Sequence, residues 1–163
     1  MSAKYKVYLA GAIKNCLYDE AQDWREYAKA VLEPEIECFS PLRNKQFLRK
    51  YGKIGPGGAG TDTYDHESPL ATSRGIMSRD HYDVQRADLV FCNLLGAKEI
   101  SIGTCIEIGF CFAYRKPLVV CVEKSGNVHD HPMIREAINF ATDNLDAGID
   151  LVKMILLPGY DHD

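Results

Sequence analysis

The feature that most constrains this chain is a regular alternation of short apolar segments with longer amphipathic ones. The short segments have the composition of buried strands and lie at residues 6–10, 35–39, 88–94 and 117–122. The longer segments repeat apolar residues every three or four positions, as helices do, and lie at residues 17–32, 73–86, 101–114 and 144–156. Strands that alternate with helices predict an α/β fold, in which helices cover both faces of a parallel sheet.

The same spacing predicts which helix residues face the core and where helices begin. On the first helix we expect an inner face of Ala21, Trp24, Tyr27, Ala28 and Val31. On the second we expect Ile76, Met77, Asp80, Val84 and Ala87. The residues predicted to begin helices are Ser73, Ser101, Pro132 and Asn144.

Length and charge limit the partners that this chain can have. A chain of 163 residues is the size of one ordinary domain, and we expect a single domain over 1–163. Its 19 basic and 23 acidic residues give a net charge of −4, which argues against a nucleic-acid polymer as partner. The longest apolar runs are short, as at 154–158, so we expect no membrane span and no secretory signal.

The six cysteines are interpreted as free thiols rather than as a disulfide framework. Cys92, Cys105, Cys111 and Cys121 lie inside apolar, periodic segments, and the sequence holds no C-x-x-C. Buried thiols of this kind are typical of a reducing compartment, and we therefore expect a cytoplasmic protein.

Residues 44–72 form the one irregular region and are rich in glycine. The region is too long for a plain connector, which favours a functional lid, an insertion or a mobile segment. Residues 55–60 match G-x-G-x-x-G by their letters. A dinucleotide site needs a strand before this motif and a helix after it, and neither pattern is present, so we do not expect one.

The segment His129-Asp130-His131 could supply two metal ligands, because alternate side chains of an extended segment point the same way. A metal site also needs a third ligand, and the sequence indicates none. Solvated histidines, or histidines that touch a substrate, are the favoured interpretation. We expect no metal and no cofactor.

Ligands of parallel sheets bind beyond the carboxyl ends of the strands, so the loops that follow the strands are the candidate site. Gly11 ends the first strand and would allow a ligand close to the backbone, while Lys14 places a cation nearby. An ordinary strand exit with a surface lysine explains these two residues equally well. Asp80 falls on the apolar stripe of its helix, where a carboxylate is costly unless it is paired or functional.

Residues 101–109 are the sharpest feature of the sequence. Ser101 and Gly103 mark a helix start, whose free amides and positive dipole favour an anion. Glu107 lies about one turn further on, between two isoleucines, and we expect it on a face shared with Gly103. An unpaired glutamate in a core is rare, and a nucleophile here would be kept ionised by the helix dipole.

Taken in order, these residues resemble a known family. The ordered set is Tyr8-x-x-Gly11, Ser40-Pro41-Leu42, Asp80 ahead of Ala87-Asp88-Leu89-Val90, Gly103-x-x-x-Glu107-Ile108-Gly109, and Pro132-Met133-Ile134-Arg135. It is similar to that of the nucleoside 2-deoxyribosyltransferases, including their 2′-deoxynucleoside 5′-phosphate N-hydrolase branch. The resemblance covers almost the whole chain except 44–72. It implies a flavodoxin-like, doubly wound, five-stranded parallel sheet with helices on both faces.

The resemblance also implies roles for single residues. Members of this family break the N-glycosidic bond of a 2′-deoxynucleoside, and the motif makes Glu107 the nucleophile that forms a covalent deoxyribosyl-enzyme. Asp80 matches the acid that orients the nucleophile or protonates the leaving base, and Tyr8 matches the tyrosine that supports the nucleophile. Such a pair of carboxyls can divide into one ionised and one protonated group. The residues expected to bind substrate are Gly11, Lys14, Ser40, Pro41, Ser101, Gly103, His131 and Met133.

One position departs from the transferases. Where they commonly carry an aspartate that contacts the 5′-hydroxyl, this chain has Ser101, as the hydrolase branch does. A serine at a helix N-terminus suits a 5′-phosphate better than a carboxylate would, which favours a nucleoside monophosphate as substrate. His131 stands where the hydrolases carry a small hydroxyl residue. Whether water or a second base accepts the sugar is left open.

The resemblance further implies a homo-oligomer, in which the segment of His131 and Met133 reaches a neighbouring subunit's site. Two alternative functions are less consistent with these residues. A catalytically silent nucleotide-binding or sensing module could use the same fold, but it would not need two inward carboxylates. A redox flavodoxin would need a Ser/Thr-rich loop after the first strand, and residues 11–15 do not supply one.

Overall fold

The structure is a computed structural model that describes residues 4–55 and 64–161. Five strands form one sheet: β1 (Tyr5–Gly11), β2 (Ile36–Phe39), β3 (Leu89–Asn93), β4 (Leu118–Cys121) and β5 (Phe140–Thr142). Five helices connect and cover them: α1 (Tyr18–Leu32), α2 (Ser73–Arg86), α3 (Ile102–Ala113), α4 (Pro132–Ala137) and α5 (Leu145–Leu156).

All neighbouring strands are parallel, and their order in the sheet is β2-β1-β3-β4-β5. The chain therefore runs outward from β1 to one edge and returns past it to build the other half. This reversal between β1 and β3 is the doubly wound, flavodoxin-like order, which confirms the predicted fold class. In such sheets the crevice for a ligand opens at the carboxyl ends of the strands on either side of the reversal.

Alternation along β1 divides the core into two layers. Val7 and Leu9 pack with α1 and α5, whereas Tyr8 and Ala10 pack with α2, α3 and α4. All four side chains are at most 1% exposed, as expected for a strand in the middle of a parallel sheet. The pleat of β1 thus places the Tyr8 side chain on the same side of the sheet as α3.

The predicted helix faces are partly wrong. Tyr27, Val31 and Met77 are exposed, and on α1 the buried positions are Tyr18, Ala21, Arg25, Ala28 and Leu32. The N-cap of α2 is Thr72, whose side chain accepts from the amide of Gly75, and not Ser73. Strand β5 was not visible in the sequence pattern, because it has three residues and an exposed edge.

The irregular region has a core of its own where it is described. Two 3₁₀ helices, Gln46–Tyr51 and Pro69–Ala71, flank the gap. A third apolar cluster joins this region to α1 and to the turn after β2: Tyr18, Ala21, Leu42, Leu48, Ile54, Tyr64 and Ala71. Most of the glycine motif, residues 56–60, lies outside the described residues.

Candidate active site

Tyr8 and Glu107 meet between the sheet and α3. Tyr8 is completely buried in β1, and Glu107 lies on the inner side of α3, where it is 8% exposed. The Tyr8 hydroxyl donates a hydrogen bond of 2.6 Å to Glu107 Oε1. The buried side of α3 also carries Thr104, Ile108 and Cys111, whereas Gly103, one turn before Glu107, is exposed.

Asp80 supplies a second inward carboxyl group from α2. It is 8% exposed, and its Oδ1 atom has no hydrogen-bond partner within the described ranges. This oxygen forms an ion pair with Arg79, whose Nε atom is 4.0 Å away. Asp80 is therefore buried, as expected, with an oxygen that has an ion pair but no hydrogen bond among the described residues.

Both carboxyl groups have raised pKa values. Burial and the charge of Asp80 raise the pKa of Glu107 to about 8. Burial raises the pKa of Asp80 to about 6, against the opposing charges of Lys45 and Arg79. The expectation that the helix dipole keeps Glu107 ionised is wrong, because Glu107 lies beyond the first turn, where the dipole effect fades. Near pH 7 the pair as a whole therefore carries about one proton.

Lys45 is a site residue that the sequence did not indicate. It follows the turn after β2 and is only 5% exposed. Burial, followed by the charge of Arg79, lowers the pKa of its amine to about 8. Lys45 is also the strongest of the charges that oppose the rise in the pKa of Asp80. No pattern could find it, because a lysine in a glycine-rich, irregular segment normally lies in solvent.

Arg79 fixes the turn that precedes Lys45. Its guanidinium donates to the backbone oxygen of Arg43 at 2.9 Å and to that of Pro41. The turn is closed further by Ser40, whose Oγ accepts from the amide of Leu42 at 3.1 Å. Ser40 and Pro41, both predicted to bind substrate, thus form a braced turn beyond the carboxyl end of β2. The sequence pattern did not indicate a role for Arg79.

Gly11 is required by packing. A Cβ atom there would lie 2.8 Å from the backbone oxygen of Asn93 in the neighbouring strand. The carbonyl of Gly11 accepts at 2.9 Å from Arg25, whose buried guanidinium also donates to Leu9 O at 3.2 Å. Arg25 was not predicted as a core residue. It ties the end of β1 to α1 on the face of the sheet opposite Glu107.

Ser101 caps α3, as expected. Its Oγ accepts from the amide of Thr104 at 3.3 Å and lies 2.8 Å from Thr104 Oγ1. Gly103, in the first turn, is exposed, with open space around the position of a Cβ atom. Lys14 is exposed in the loop after β1, and no ion pair of its amine is found among residues 4–55 and 64–161.

His129 and His131 have different surroundings. His129 is 3% exposed, and its Nε2 accepts from the amide of Ser101 at 2.8 Å. His131 is exposed and caps α4, where its Nδ1 accepts from the amide of Met133 at 3.2 Å. Met133 is 77% exposed. Within one protomer, therefore, neither His131 nor Met133 is packed against the buried carboxyl pair.

A groove of about 680 Å³ lies beside the carboxyl ends of β4 and β5, bounded by the 122–130 loop and by α4. Its lining includes His129 and Asn127 but none of Tyr8, Asp80 and Glu107. The two buried carboxyl groups therefore do not line this groove. In the described part of the chain, no group of three or more His, Cys, Asp or Glu side chains could hold a metal, and no helix could span a bilayer.

Solved structures of similar shape include two enzymes of nucleoside chemistry. The CMP N-glycosidase BcmB of Clostridium botulinum aligns with a TM-score of 0.54 and 15% identity, over 93% of this chain and 99% of that one. A 2-desoxiribosyltransferase of Leishmania mexicana aligns with a TM-score of 0.62 and 14% identity, over 94% and 99%. BlsM aligns with a TM-score of 0.62 and 17% identity, over 99% and 100%. At these identities the likeness shows the fold.

Sequence comparison identifies the family. None of the curated proteins compared with the chain matches it by sequence. A family model described as nucleoside 2-deoxyribosyltransferase matches residues 7–151, a span that includes Tyr8, Asp80 and Glu107. This match confirms the resemblance drawn from the ordered motifs. Because it covers most of the 163 residues, the chain belongs to the nucleoside 2-deoxyribosyltransferase family.

Proposed function

We propose that the protein cleaves the N-glycosidic bond of a 2′-deoxynucleoside or its 5′-monophosphate and passes the sugar to water or to another nucleobase. The observation that carries this proposal is the buried pair of Glu107 and Asp80, with the Tyr8 hydroxyl 2.6 Å from Glu107. Family membership supports the same class of activity. Retaining glycosidases use such a pair, in which one carboxylate is the nucleophile and the second carboxyl group is the acid and base.

In the first step a Glu107 oxygen attacks C1′ of the sugar. The C1′–N bond breaks, its electron pair leaves with the base, and a C1′–O bond to Glu107 forms. The departing base takes a proton, which we assign to Asp80, and Asp80 is left ionised. Tyr8 donates to the Glu107 oxygen that does not attack and holds the carboxyl group in the attacking orientation.

In the second step the acceptor attacks C1′ from the side that the base left. Asp80 takes the proton of water, or of an incoming base, and the Glu107 carboxylate departs with the electrons of the C1′–O bond. Two successive inversions retain the configuration at C1′. The pair needs one proton at the start and has one again at the end, which is the number that it carries near pH 7. Because the pKa of Glu107 is the higher of the two, this proton lies mainly on Glu107 before reaction, and in the reactive form it lies on Asp80 instead.

For the substrate's 5′ end we propose the loops after β1 and β3. Ser101 begins α3, and the amides of its first turn are directed to an incoming anion. Lys14 is exposed and without an ion pair in the described part of the chain, so its charge is available. A 5′-phosphate suits both groups. Gly11, Gly103 and the turn of Ser40 and Pro41 complete the proposed walls of the site.

We further propose a homo-oligomer assembled through α3 and the start of α4. Ile102, Ile106 and Phe112 on α3 are 73%, 37% and 65% exposed, and Met133 lies beyond them on α4. Glu107 is the only charged residue within α3, and it points inward, so the outer face of this helix has no charge to solvate it. Such a helix is typical of a covered surface. A second copy docked there would bring His131 and Met133 to the neighbouring site.

The cysteines support a proposed cytoplasmic location. All six are free thiols, and Cys92, Cys111 and Cys121 are buried. Burial raises the pKa of Cys111 and of Cys121 to about 12, so these thiols are poor nucleophiles at neutral pH.

The test of the proposed function is a panel of 2′-deoxynucleosides and their 5′-monophosphates, each with and without a free acceptor base. Release of free base without acceptor indicates hydrolysis, and a new nucleoside in its presence indicates transfer. A preference for monophosphates supports the 5′ site. If no member of the panel yields free base or exchanged nucleoside, while binding is still seen, the silent nucleotide-binding module is the correct function.

A further inference from the structure

A chain of hydrogen bonds joins the loop after β3 to the loop after β4. Gly96 N donates to Glu123 Oε1 at 2.6 Å, and Asn127 Nδ2 donates to Glu123 Oε2 at 2.6 Å and to Leu94 O at 2.8 Å. The Asn127 amide oxygen then lies 3.1 Å from His129 Nδ1. The chain ends where His129 Nε2 accepts from the amide of Ser101.

We propose that His129 is a positioning residue, which acts as a neutral imidazole and holds Ser101 in place to bind the substrate's 5′ group. This inference rests on the proposed function, because it is that function which assigns Ser101 to substrate. His129 itself does not contact substrate in this account. It acts through the backbone of the residue that does.

The hydrogen-bond directions fix the form of the imidazole. A backbone amide can only donate, so Nε2 must be the unprotonated nitrogen. The ring proton then lies on Nδ1 and points to the Asn127 oxygen, which also accepts from the His129 amide at 2.9 Å. Asn127 is 8% exposed and His129 is 3% exposed, so water does not readily replace either partner. The network admits one tautomer.

Protonation would break this arrangement. A proton on Nε2 would face the amide proton of Ser101, and one of the two loops would have to move. Burial lowers the pKa of His129, so the ring stays neutral at lower pH than a histidine in solvent does. The charged groups around it have partners of their own: Glu123 binds Gly96 and Asn127, Lys124 pairs with Asp143 at 3.3 Å, and Asp130 pairs with Arg135.

The test compares His129→Phe, which removes the acceptor, with His129→Gln, which offers an acceptor oxygen that does not titrate. His66→Phe is the matched control, because His66 is exposed and its Nε2 lies 3.2 Å from the hydroxyl of Tyr51 in the irregular region. We expect His129→Phe to raise the KM for a 2′-deoxynucleoside 5′-monophosphate at pH 7.5 at least about tenfold and to change kcat less than about threefold. In His129→Gln the KM should stay close to the wild-type value. Equal losses in kcat and KM in His129→Phe, or no restoration by His129→Gln, would overturn the proposal.

Two further readouts separate this inference from the proposed function. Nitrogen NMR of the labelled imidazole at pH 7.5 should show a proton on Nδ1 and a bare Nε2, whether or not any substrate is turned over. A proton on Nε2 would overturn the inference even in an active enzyme. In wild type the KM should also rise as the pH falls through the His129 pKa, by more than it rises in His129→Gln. Identical pH dependence in the two proteins would contradict the role.

Discussion

The hydroxyl of Tyr8 donates to Glu107 across ninety-nine residues of sequence and the boundary between sheet and helix. The strand position is fixed by the pleat of β1, and the helix position by the apolar stripe of α3. Both side chains are buried, and each provides the other with a hydrogen-bond partner that replaces water. The proposed catalysis depends on this contact and on the carboxyl group of Asp80.

Removal of the Tyr8 hydroxyl should slow the reaction without unfolding the protein. A hydrogen bond to a charged group contributes about 1.5–3 kcal/mol, so Tyr8→Phe is expected to lower kcat roughly 10- to 100-fold. Tyr5→Phe, in the same strand, is the matched control and should be near wild type. Steady-state kinetics on the best substrate of the panel measures both. An unchanged kcat in Tyr8→Phe would show that the contact has no catalytic role.

The rate should depend on pH through the carboxyl pair. With pKa values of about 6 for Asp80 and about 8 for Glu107, kcat/KM is expected to be bell-shaped between those limits. The positive charge of Lys45 lowers both pKa values, so Lys45→Met should raise them and move the profile about one unit toward alkaline pH. Lys29→Met, on the exposed side of α1, should leave it in place. A profile that Lys45→Met does not shift would remove Lys45 from the site.

Glu107 should make the protein less stable at high pH. Its pKa is raised on folding, so the folded state binds more protons than the unfolded state between about pH 4.5 and 8, and the free energy of unfolding falls as pH rises through that range. Glu107→Gln removes this loss while keeping an acceptor for Tyr8. We expect the variant to gain on the order of 3 kcal/mol over wild type between pH 5 and pH 8.

Denaturant titrations at the two pH values measure this gain. The exposed Glu35→Gln is the control, and its difference from wild type should be the same at both pH values. If the difference between Glu107→Gln and wild type is also the same at both, Glu107 is not held in an environment that disfavours its charge.

The 5′ site should distinguish phosphorylated from unphosphorylated substrates. Ser101→Asp places a carboxylate where we propose that the phosphate binds, and Lys14→Ala removes a free cation. Both changes are expected to lower kcat/KM for a monophosphate at least about tenfold more than for the corresponding nucleoside. The measurement is a pairwise comparison of the two substrates for each variant. Equal losses on both substrates would contradict the phosphate assignment.

Sequence patterns were sufficient for features that depend on local chemistry. Buried strands, the inward Asp80, and the caps at Ser101 and Asn144 all follow from spacing and residue type. The patterns failed where tertiary packing decides. Lys45 is buried in an irregular turn, where its backbone is hydrogen-bonded to Leu42 and Leu48, two members of the third apolar cluster. No periodicity of the sequence records such a turn.

The misplaced residues have similar causes. Met77 sits on the predicted stripe of α2, but it is 46% exposed, and the buried positions of this helix are Asp80, Asp83 and Val84. The pKa of Glu107 could not be read from its distance to the helix start, because burial and Asp80 outweigh the dipole. The link from His129 to Ser101 joins two loops whose contact exists only in the folded chain.

The most direct test of the central claim is to trap the covalent intermediate. The enzyme is mixed with its best substrate, quenched in acid during turnover and digested, and the peptides are identified by mass spectrometry. We expect a deoxyribosyl or 5-phosphodeoxyribosyl group on the peptide that contains Glu107, and no such group on the same peptide of Glu107→Gln. Turnover by the wild type with the sugar on another residue, or with product of inverted configuration at C1′, would contradict it.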